Sequence, residues 1–165
     1  MTILTNQEIK KRLRKDLVIS PYDEQNLMPA SYNLSIGGSF VYDTMNFRYK
    51  SEDKQIAIKP HQFLLGTSYE KITLPDNIVG QVSGRSSYAR LGLFIHTCAG
   101  YIDPGFSGEI TFELYNCSNN PICIDIGDEI AQITFIECAT ANPSYAEIGN
   151  YNGQKGATVS RLLRY

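Results

Sequence analysis

The sequence has little histidine and lacks the spacing of zinc ligands. Its 165 residues include two histidines, His61 and His96, and neither has a ligand-spaced partner. The four cysteines contain no Cys-x-x-Cys pair, and the zinc-dependent base deaminase signature His-x-Glu with Pro-Cys-x-x-Cys is absent. The sequence also lacks a Gly-x-Ser-x-Gly elbow, which argues against Ser-His-Asp catalysis. Any base deamination by this chain would therefore have to use a carboxylate without zinc.

Charge and hydropathy exclude further classes of function. The net charge of −2 and the pI near 5.7 offer no basic field for a nucleic-acid backbone. No segment approaches the roughly 18 consecutive apolar residues of a membrane span, and the N-terminal residues lack a secretory-signal pattern. We therefore expect a soluble cytoplasmic protein with no nucleic-acid and no membrane partner. A nucleotide held by a few arginines and lysines remains compatible with this charge.

The cysteines are expected to be thiols. They lie among apolar residues in a chain that shows no secretory signal and is not small enough to need disulfide staples. We therefore expect reduced and mostly buried side chains at Cys98, Cys117, Cys123 and Cys138.

A short helix is predicted at the N-terminus. Residues 5–8 have the spacing of a capping box, and Ile9 and Leu13 recur at a helical interval. We predict a helix over about residues 6–15. Its basic cluster is interpreted as a solvated face, with a binding patch as the alternative; it contains Lys10, Lys11, Arg12, Arg14 and Lys15.

The rest of the chain has the pattern of an all-β protein. Runs of β-forming residues at 63–67, 108–114 and 130–135 are separated by turn sequences at 75–77, 103–105, 118–121 and 126–128. Many short strands with one helix predict a sandwich, jelly roll or small barrel. We predict a single domain over residues 1–165, in which residues 142–165 form an extended tail or lid.

A glycine-arginine-serine segment is the first candidate for chemistry. Residues 84–92 place Arg85 and Arg90 on either side of two hydroxyls, Ser86 and Ser87, behind Gly84. Arginine forks match phosphate oxygens, and glycine allows the backbone to approach a ligand closely. The local pattern alone favours a polar turn that enters a helix, with a phosphate site as the alternative.

Two carboxylates are the other candidates. Asp103 begins an Asp-Pro-Gly turn, and turn formation fully explains the proline and the glycine. The small and aromatic residues around Asp103 could also form the floor of a sugar pocket. Glu113 shares one strand face with Thr111. If that face meets solvent, Glu113 is an ordinary surface carboxylate, whereas in a cleft it could act as a general base.

Taken together, these segments resemble the dCTP deaminase family, within the trimeric dUTPase-like superfamily. The resemblance is carried by Gly-Arg-Ser-Ser-Tyr-Ala-Arg-Leu-Gly-Leu, Ala-Gly-Tyr-Ile-Asp-Pro-Gly-Phe and Ile-Thr-Phe-Glu-Leu-Tyr-Asn within residues 84–116, and by residues 27–34, 127–133 and 151–161. It implies a distorted jelly roll with a short N-terminal helix, and a homotrimer with sites at subunit interfaces. It also implies magnesium held by the triphosphate, with no direct protein ligand and no zinc, and a tail that closes over the nucleotide.

The resemblance implies a role for each matching residue. Glu113 would activate water for attack on cytosine C4, Arg90 would steer that water, and Asp103 would bind the deoxyribose 3′-hydroxyl. The implied phosphate ligands are Arg85, Ser86 and Ser87. The other implied substrate-binding residues are Ala99, Tyr101, Ile102, Phe106, Thr111, Phe112, Gln132, Tyr145, Gln154 and Lys155.

The residues before Asp103 resemble the bifunctional type of the family, in which Gly and an aromatic residue precede Ile-Asp. The expected function is deamination of dCTP to dUTP, then hydrolysis of dUTP to dUMP and diphosphate, which supplies dUMP for thymidylate synthesis. In the second step Asp103 could help to order the water. The alternatives are a dUTPase that acts on dUTP alone, and a non-catalytic nucleotide-binding regulatory module.

Two positions depart from the family pattern. Asn33 replaces an Asp that supports hydrated magnesium in related dUTPases, and Asn150 replaces a phosphate-binding Lys for which Lys155 could substitute. Either departure could lower the affinity for triphosphate or shift the balance between the two activities. The chain is also short for the family, which leaves open a virus-encoded form that acts in the host cytoplasm.

Overall fold

Strands dominate the computed structural model, which describes residues 1–42, 47–50, 54–96 and 98–162. The strands are β1 (Thr2–Ile3), β2 (Val18–Ser20), β3 (Leu27–Met28), β4 (Ser31–Tyr42), β5 (Phe47–Lys50), β6 (Gln55–Ile58), β7 (Phe63–Thr73), β8 (Ile78–Gly84), β9 (Leu93–Ile95), β10 (Tyr101–Ile102), β11 (Ser107–Asn116), β12 (Ile122–Asp125) and β13 (Glu129–Glu137). The helices are α1 (Asn6–Leu13), α2 (Ser86–Ala89) and α3 (Tyr145–Ile148), and a 3-10 turn spans Glu24–Asn26. The predicted strand runs at 63–67, 108–114 and 130–135 lie in β7, β11 and β13, as expected.

All strand pairs in the described residues are antiparallel, and most belong to one curled sheet. Its central order is β10-β8-β13-β4-β7-β11-β9, with β1, β2, β3 and β5 paired to its members, and β12 pairs with β6 separately. The long strand β4 connects the two halves, because its first part pairs with β13 and its second part with β7 and β5. At Gly37, a side chain would come within 3.1 Å of the Ser68 carbonyl oxygen, so glycine permits this close approach.

The core follows the alternation of the strands. Along β11 every second residue is buried, so Phe112 and Leu114 pack inside while Thr111, Glu113 and Tyr115 remain partly exposed. Other fully buried large side chains come from β4, β7, β8 and β13; they include Tyr32, Phe40, Leu64, Ile78 and Phe135. The period-2 pattern in the sequence therefore sets which face of each strand meets the core.

The N-terminal helix is shorter than predicted. It ends at Leu13 instead of residue 15, and the chain turns so that Leu17 is buried. The Thr5 hydroxyl contacts the Glu8 carboxylate and does not cap the backbone. The basic cluster is exposed as expected except for Arg12, which lies 2.9 Å from Asp16, and which also contacts the body of the sheet.

The expectation of mostly buried cysteines was wrong. All four are free thiols, but Cys98, Cys117 and Cys123 are exposed and Cys138 is partly exposed. Cys123 shows the reason, because β12 alternates and turns this position outward, which apolar neighbours in sequence do not reveal. Among the described residues, no helix has the length and apolar character needed to cross a bilayer.

Candidate active site

A cavity of about 470 Å³ lies against β11, and it contains both candidate carboxylates. Its walls come from the start of β7, residue 96, residues within 99–106, β11 and the tail. The predicted site residues that line it are Ala99, Tyr101, Ile102, Asp103, Phe106, Thr111, Glu113, Tyr145 and Gln154. Residues that are far apart in sequence therefore share one cavity, as a small-molecule site requires.

A second cavity, of about 650 Å³, lies beside the 3-10 turn and holds Glu70 and Glu129. Glu70 is only 2% exposed, and burial raises the pKa of its carboxyl, which accepts hydrogen bonds from the Ser35 backbone N–H at 3.0 and 3.3 Å. None of the three predicted catalytic residues lines this cavity. The smaller cavity is therefore the better candidate, since size alone does not supply reactive groups.

Strand β11 directs Glu113 and Thr111 into the cavity. Thr111 and Glu113 are both in register with β7, and β9 pairs with the last three residues of β11, so the sheet holds the backbone that carries them. Phe112 is an exception among the predicted substrate contacts, because its side chain is fully buried in the core. The alternation of the strand causes this, and only the Phe112 backbone is left to flank a ligand.

The turn after β10 places Asp103 at the rim of the cavity. The Phe106 backbone N–H donates to the Asp103 carbonyl oxygen at 3.2 Å, and Gly105 adopts a positive φ of 86° that favours glycine. Phe106 is 5% exposed and its ring centroid lies 6.0 Å from that of Tyr145. Among the described residues, no side chain or backbone donor contacts the exposed Asp103 carboxylate, so it is available to a ligand.

The predicted tail covers the same cavity. Its hydrogen bonds to β11 include Gln154 Nε2 to the Glu109 carbonyl at 2.7 Å and the Gly156 N–H to the Glu109 carboxylate at 2.6 Å. The Thr158 N–H donates to the Thr111 hydroxyl at 3.1 Å, and Ala157 is buried. The tail therefore lies as a strap across its own strand β11.

His96 is a cavity residue that the sequence did not reveal. It follows β9 with a φ of 51°, a left-handed conformation that is uncommon outside glycine, although histidine adopts it more often than most residues. Both ring nitrogens are buried and lack a hydrogen-bond partner among the described residues, while the ring packs edge-on against Phe112. Burial lowers the pKa of His96 to about 4, so its imidazole is neutral at pH 7. No motif surrounds His96 in the sequence, so the sequence did not predict its place in the cavity.

The predicted phosphate ligands lie away from this cavity. Arg85 follows β8 and pairs with Glu129 at 2.5 Å, while Ser86 and Ser87 begin the short helix α2 and are exposed. Arg90 ends α2 and is also exposed. None of these four side chains lines the cavity that contains Glu113.

Two other predicted contacts also lie outside the cavity. Gln132 is on β13, where its side-chain amide donates to the Ser83 hydroxyl at 3.3 Å. Lys155 is exposed on the tail. The described residues contain no group of three or more His, Cys, Asp or Glu side chains that could hold a metal ion.

Comparison with known proteins identifies the family. The sequence matches the dCTP deaminase-like family model over residues 3–138. The dUMP-forming dCTP deaminase of Dictyoglomus turgidum is 38% identical, and the match covers 97% of this chain and 94% of that protein.

Solved structures agree on the fold. The 2′-deoxycytidine 5′-triphosphate deaminase of Agrobacterium tumefaciens matches with a TM-score of 0.68 at 19% identity, covering 81% of this chain and 47% of that one. The present chain thus spans about half the length of that protein. The dUTPase of Staphylococcus bacteriophage 80alpha, solved with dUPNHPP, matches with a TM-score of 0.53 at 16% identity, covering 77% of this chain and 85% of that one. The predicted distorted jelly roll is confirmed, and the chain belongs to the dCTP deaminase-like family.

Proposed function

We propose that this chain deaminates dCTP to dUTP and then hydrolyses dUTP to dUMP and diphosphate. The observation that carries the proposal is the meeting of Glu113 and Asp103 in one cavity, to which β11, the 103–106 turn and the tail all contribute. The name of the Dictyoglomus turgidum relative, a dUMP-forming dCTP deaminase, supports both steps. The residues before Asp103 support the second step, because they resemble the bifunctional type. The dUMP formed would supply thymidylate synthesis.

Deamination requires a base for water and an acid for the departing amine. Glu113 takes a proton from a water molecule, whose oxygen attacks C4 of cytosine. The same carboxyl then returns the proton towards the exocyclic nitrogen, the C4–N bond breaks, and ammonia leaves. Ala99 and Thr111 line the same cavity as Glu113, and their small side chains leave space for the water. The reaction consumes one water and leaves the carboxyl unchanged.

Hydrolysis of dUTP uses a second water, which attacks phosphorus and releases diphosphate. Asp103 stands at the rim with a free carboxylate, where it can hold the sugar hydroxyl and help to order this water. Phe106 and Tyr145 pack together beneath the position proposed for the deoxyribose. When bound to the triphosphate, magnesium would offset its negative charge.

The phosphate-binding part of the site is assigned to a neighbouring subunit. Arg85, Ser86, Ser87 and Arg90 do not line the cavity of their own chain, and a triphosphate needs cationic donors beside the catalytic carboxylates. A homotrimer would place these donors, together with Gln132, next to the cavity of the adjacent subunit. Arg90 would then reach Glu113 from across the interface, and the tail with Gln154 and Lys155 would close over the nucleotide. The cytoplasmic location stays a prediction.

A product assay tests the proposal directly. The protein is incubated with magnesium and either dCTP or dUTP, and dUTP, dUMP, ammonia and diphosphate are resolved over time. We expect dCTP to yield dUMP. Release of dUMP from dUTP with dCTP untouched would indicate a dUTPase alone. Tight nucleotide binding without any turnover would indicate the regulatory module and would reject the proposal.

A further inference from the structure

Three polar side chains form a chain of contacts across neighbouring strands. The Glu129 carboxylate at the start of β13 accepts a hydrogen bond from the Asn33 side-chain amide at 2.6 Å. The same carboxylate oxygen lies 2.5 Å from Nη1 of Arg85, whose Nη1 also donates to the Glu129 carbonyl at 3.2 Å. Asn33 belongs to β4 and Arg85 follows β8, the two strands that flank β13.

The backbone holds these three residues in place. Register pairs the β13 residue Gln132 with Asn33 on β4 and with Ser83 on β8, so the sheet fixes the spacing of all three strands. The Arg85 backbone N–H donates to the Ile130 carbonyl at 2.9 Å. Asn33 is 2% exposed, so its amide cannot exchange Glu129 for water without opening the sheet.

One edge of the Arg85 guanidinium remains available. Both contacts with Glu129 use Nη1, and among the described residues no acceptor contacts Nη2 or Nε. The Nη2 and Nε hydrogens form the fork that binds two oxygens of one anion. Since an unrestrained arginine loses rotamer entropy when it binds, anchoring Nη1 lowers the cost of presenting this fork.

We propose that Glu129 is a positioning residue that presents the free fork of Arg85 to a polyphosphate, and that Asn33 holds Glu129 in place. This inference rests on the phosphate role proposed for Arg85. Charge explains why an amide occupies position 33. An aspartate there would set two carboxylates against each other beside the phosphate, whereas the asparagine amide donates and adds no charge.

Titration calorimetry with inorganic tripolyphosphate in magnesium buffer tests the inference without any turnover. Because hydrogen bonds to charged groups contribute about 1.5–3 kcal/mol, Arg85→Ala is expected to weaken binding at least about tenfold. Loss of the anchor in Glu129→Ala is expected to weaken it about fivefold. In Arg85→Ala/Glu129→Ala the affinity is expected to equal that of Arg85→Ala within about twofold, because Glu129 acts only through Arg85.

Exchanging the hydrogen-bond donor at position 33 with the acceptor at position 129 distinguishes positioning of Arg85 from a general loss of stability. Asn33→Asp alone is expected to weaken binding about fivefold, because it replaces a hydrogen bond by repulsion. Asn33→Asp/Glu129→Gln restores one donor, one acceptor and the same charge, and is expected to bind within about twofold of the natural protein. The matched control is Glu137→Ala, which removes an exposed carboxylate at the far end of β13.

The outcomes distinguish this inference from the proposed reaction. Unchanged tripolyphosphate affinity in folded Glu129→Ala, or additive losses in the double variant, would overturn the positioning role while dCTP turnover stands. Failure of the natural protein to bind tripolyphosphate would overturn it as well. Conversely, the expected binding pattern in a protein without dCTP turnover would support the positioning role and reject the proposed reaction.

Discussion

The cavity at β11 and the cluster at Arg85 differ in their charged groups: among the described residues, the cavity has carboxylates without a cation, and the cluster has arginines. In the cavity, Glu113 and Asp103 face an enclosure whose described lining contains no lysine or arginine. At the cluster, Arg85 already contacts a carboxylate, and Arg90 is exposed. Acid–base groups and cationic groups therefore occupy separate surfaces of one chain. We propose that each surface supplies half of a site for an anionic nucleotide, and that a neighbouring subunit supplies the other half.

The largest expected effect concerns the base in the cavity. Glu113→Gln keeps the shape of the side chain but removes the proton acceptor, so deamination of dCTP should fall by about 10²–10⁴. Release of dUMP from dUTP should remain within about tenfold of the natural rate, because that step does not need this base. Both rates are measured by resolving nucleotides over time. Equal losses of the two activities would show that Glu113 is not specific to deamination.

Asp103→Asn tests the role of the other cavity carboxylate in dUTP hydrolysis. Release of dUMP should fall about a hundredfold, and dUTP should accumulate from dCTP, because the amide cannot orient water as the carboxylate does. The substitution is nearly isosteric, and the Asp-Pro-Gly turn tolerates asparagine. Steady dUMP formation at the natural rate would remove Asp103 from the hydrolytic step.

His96 provides a pH-dependent prediction that is confined to the cavity. Its folded pKa of about 4 lies below the ordinary value of 6.5, so the unfolded chain binds the proton more readily. The stability contribution is therefore complete above pH 6.5 and is lost as the pH falls towards 4. Between pH 7.5 and pH 5.0 the loss amounts to about 2 kcal/mol.

Urea denaturation at both pH values measures this loss in His96→Asn and in the natural protein. His61→Asn is the matched control, because His61 is exposed and also has a positive φ, of 57°. We expect the pH dependence to shrink in His96→Asn and to persist in His61→Asn. An identical pH dependence in the two variants would contradict the buried, neutral state of His96.

The smallest expected effect concerns the strap that covers the cavity. Ala157 is 5% exposed and packs with Val41 and Leu65, so Ala157→Asp would bury a charge and release the tail from β11. We expect KM for dCTP to rise about tenfold with a smaller change in kcat, since the strap contributes to ligand binding. Leu162→Ala, at an 89% exposed position of the same tail, is the control. An unchanged KM in Ala157→Asp would show that the strap does not contribute to nucleotide binding.

Local sequence predicted more of the cavity than of the cluster. The alternation in β11 predicted that Thr111 and Glu113 share a face, and the Asp-Pro-Gly turn was found where proline and glycine chemistry demands it. The same alternation turned Phe112 into the core, a consequence that motif matching overlooked. The contact of Arg85 with Glu129 joins residues 44 positions apart, and no local pattern encodes it.

Near neighbours along the chain predicted the strand faces, the turns and the family resemblance, and they lack zinc-ligand spacing. The folded structure was needed to show that Glu113 and Asp103 share a cavity, that His96 joins them, and that the tail binds β11. It also separated Arg85 and Arg90 from that cavity within one chain. Desolvation, cavity shape and charge pairing arise from strands brought together by the register of the sheet, and local propensity does not specify that register.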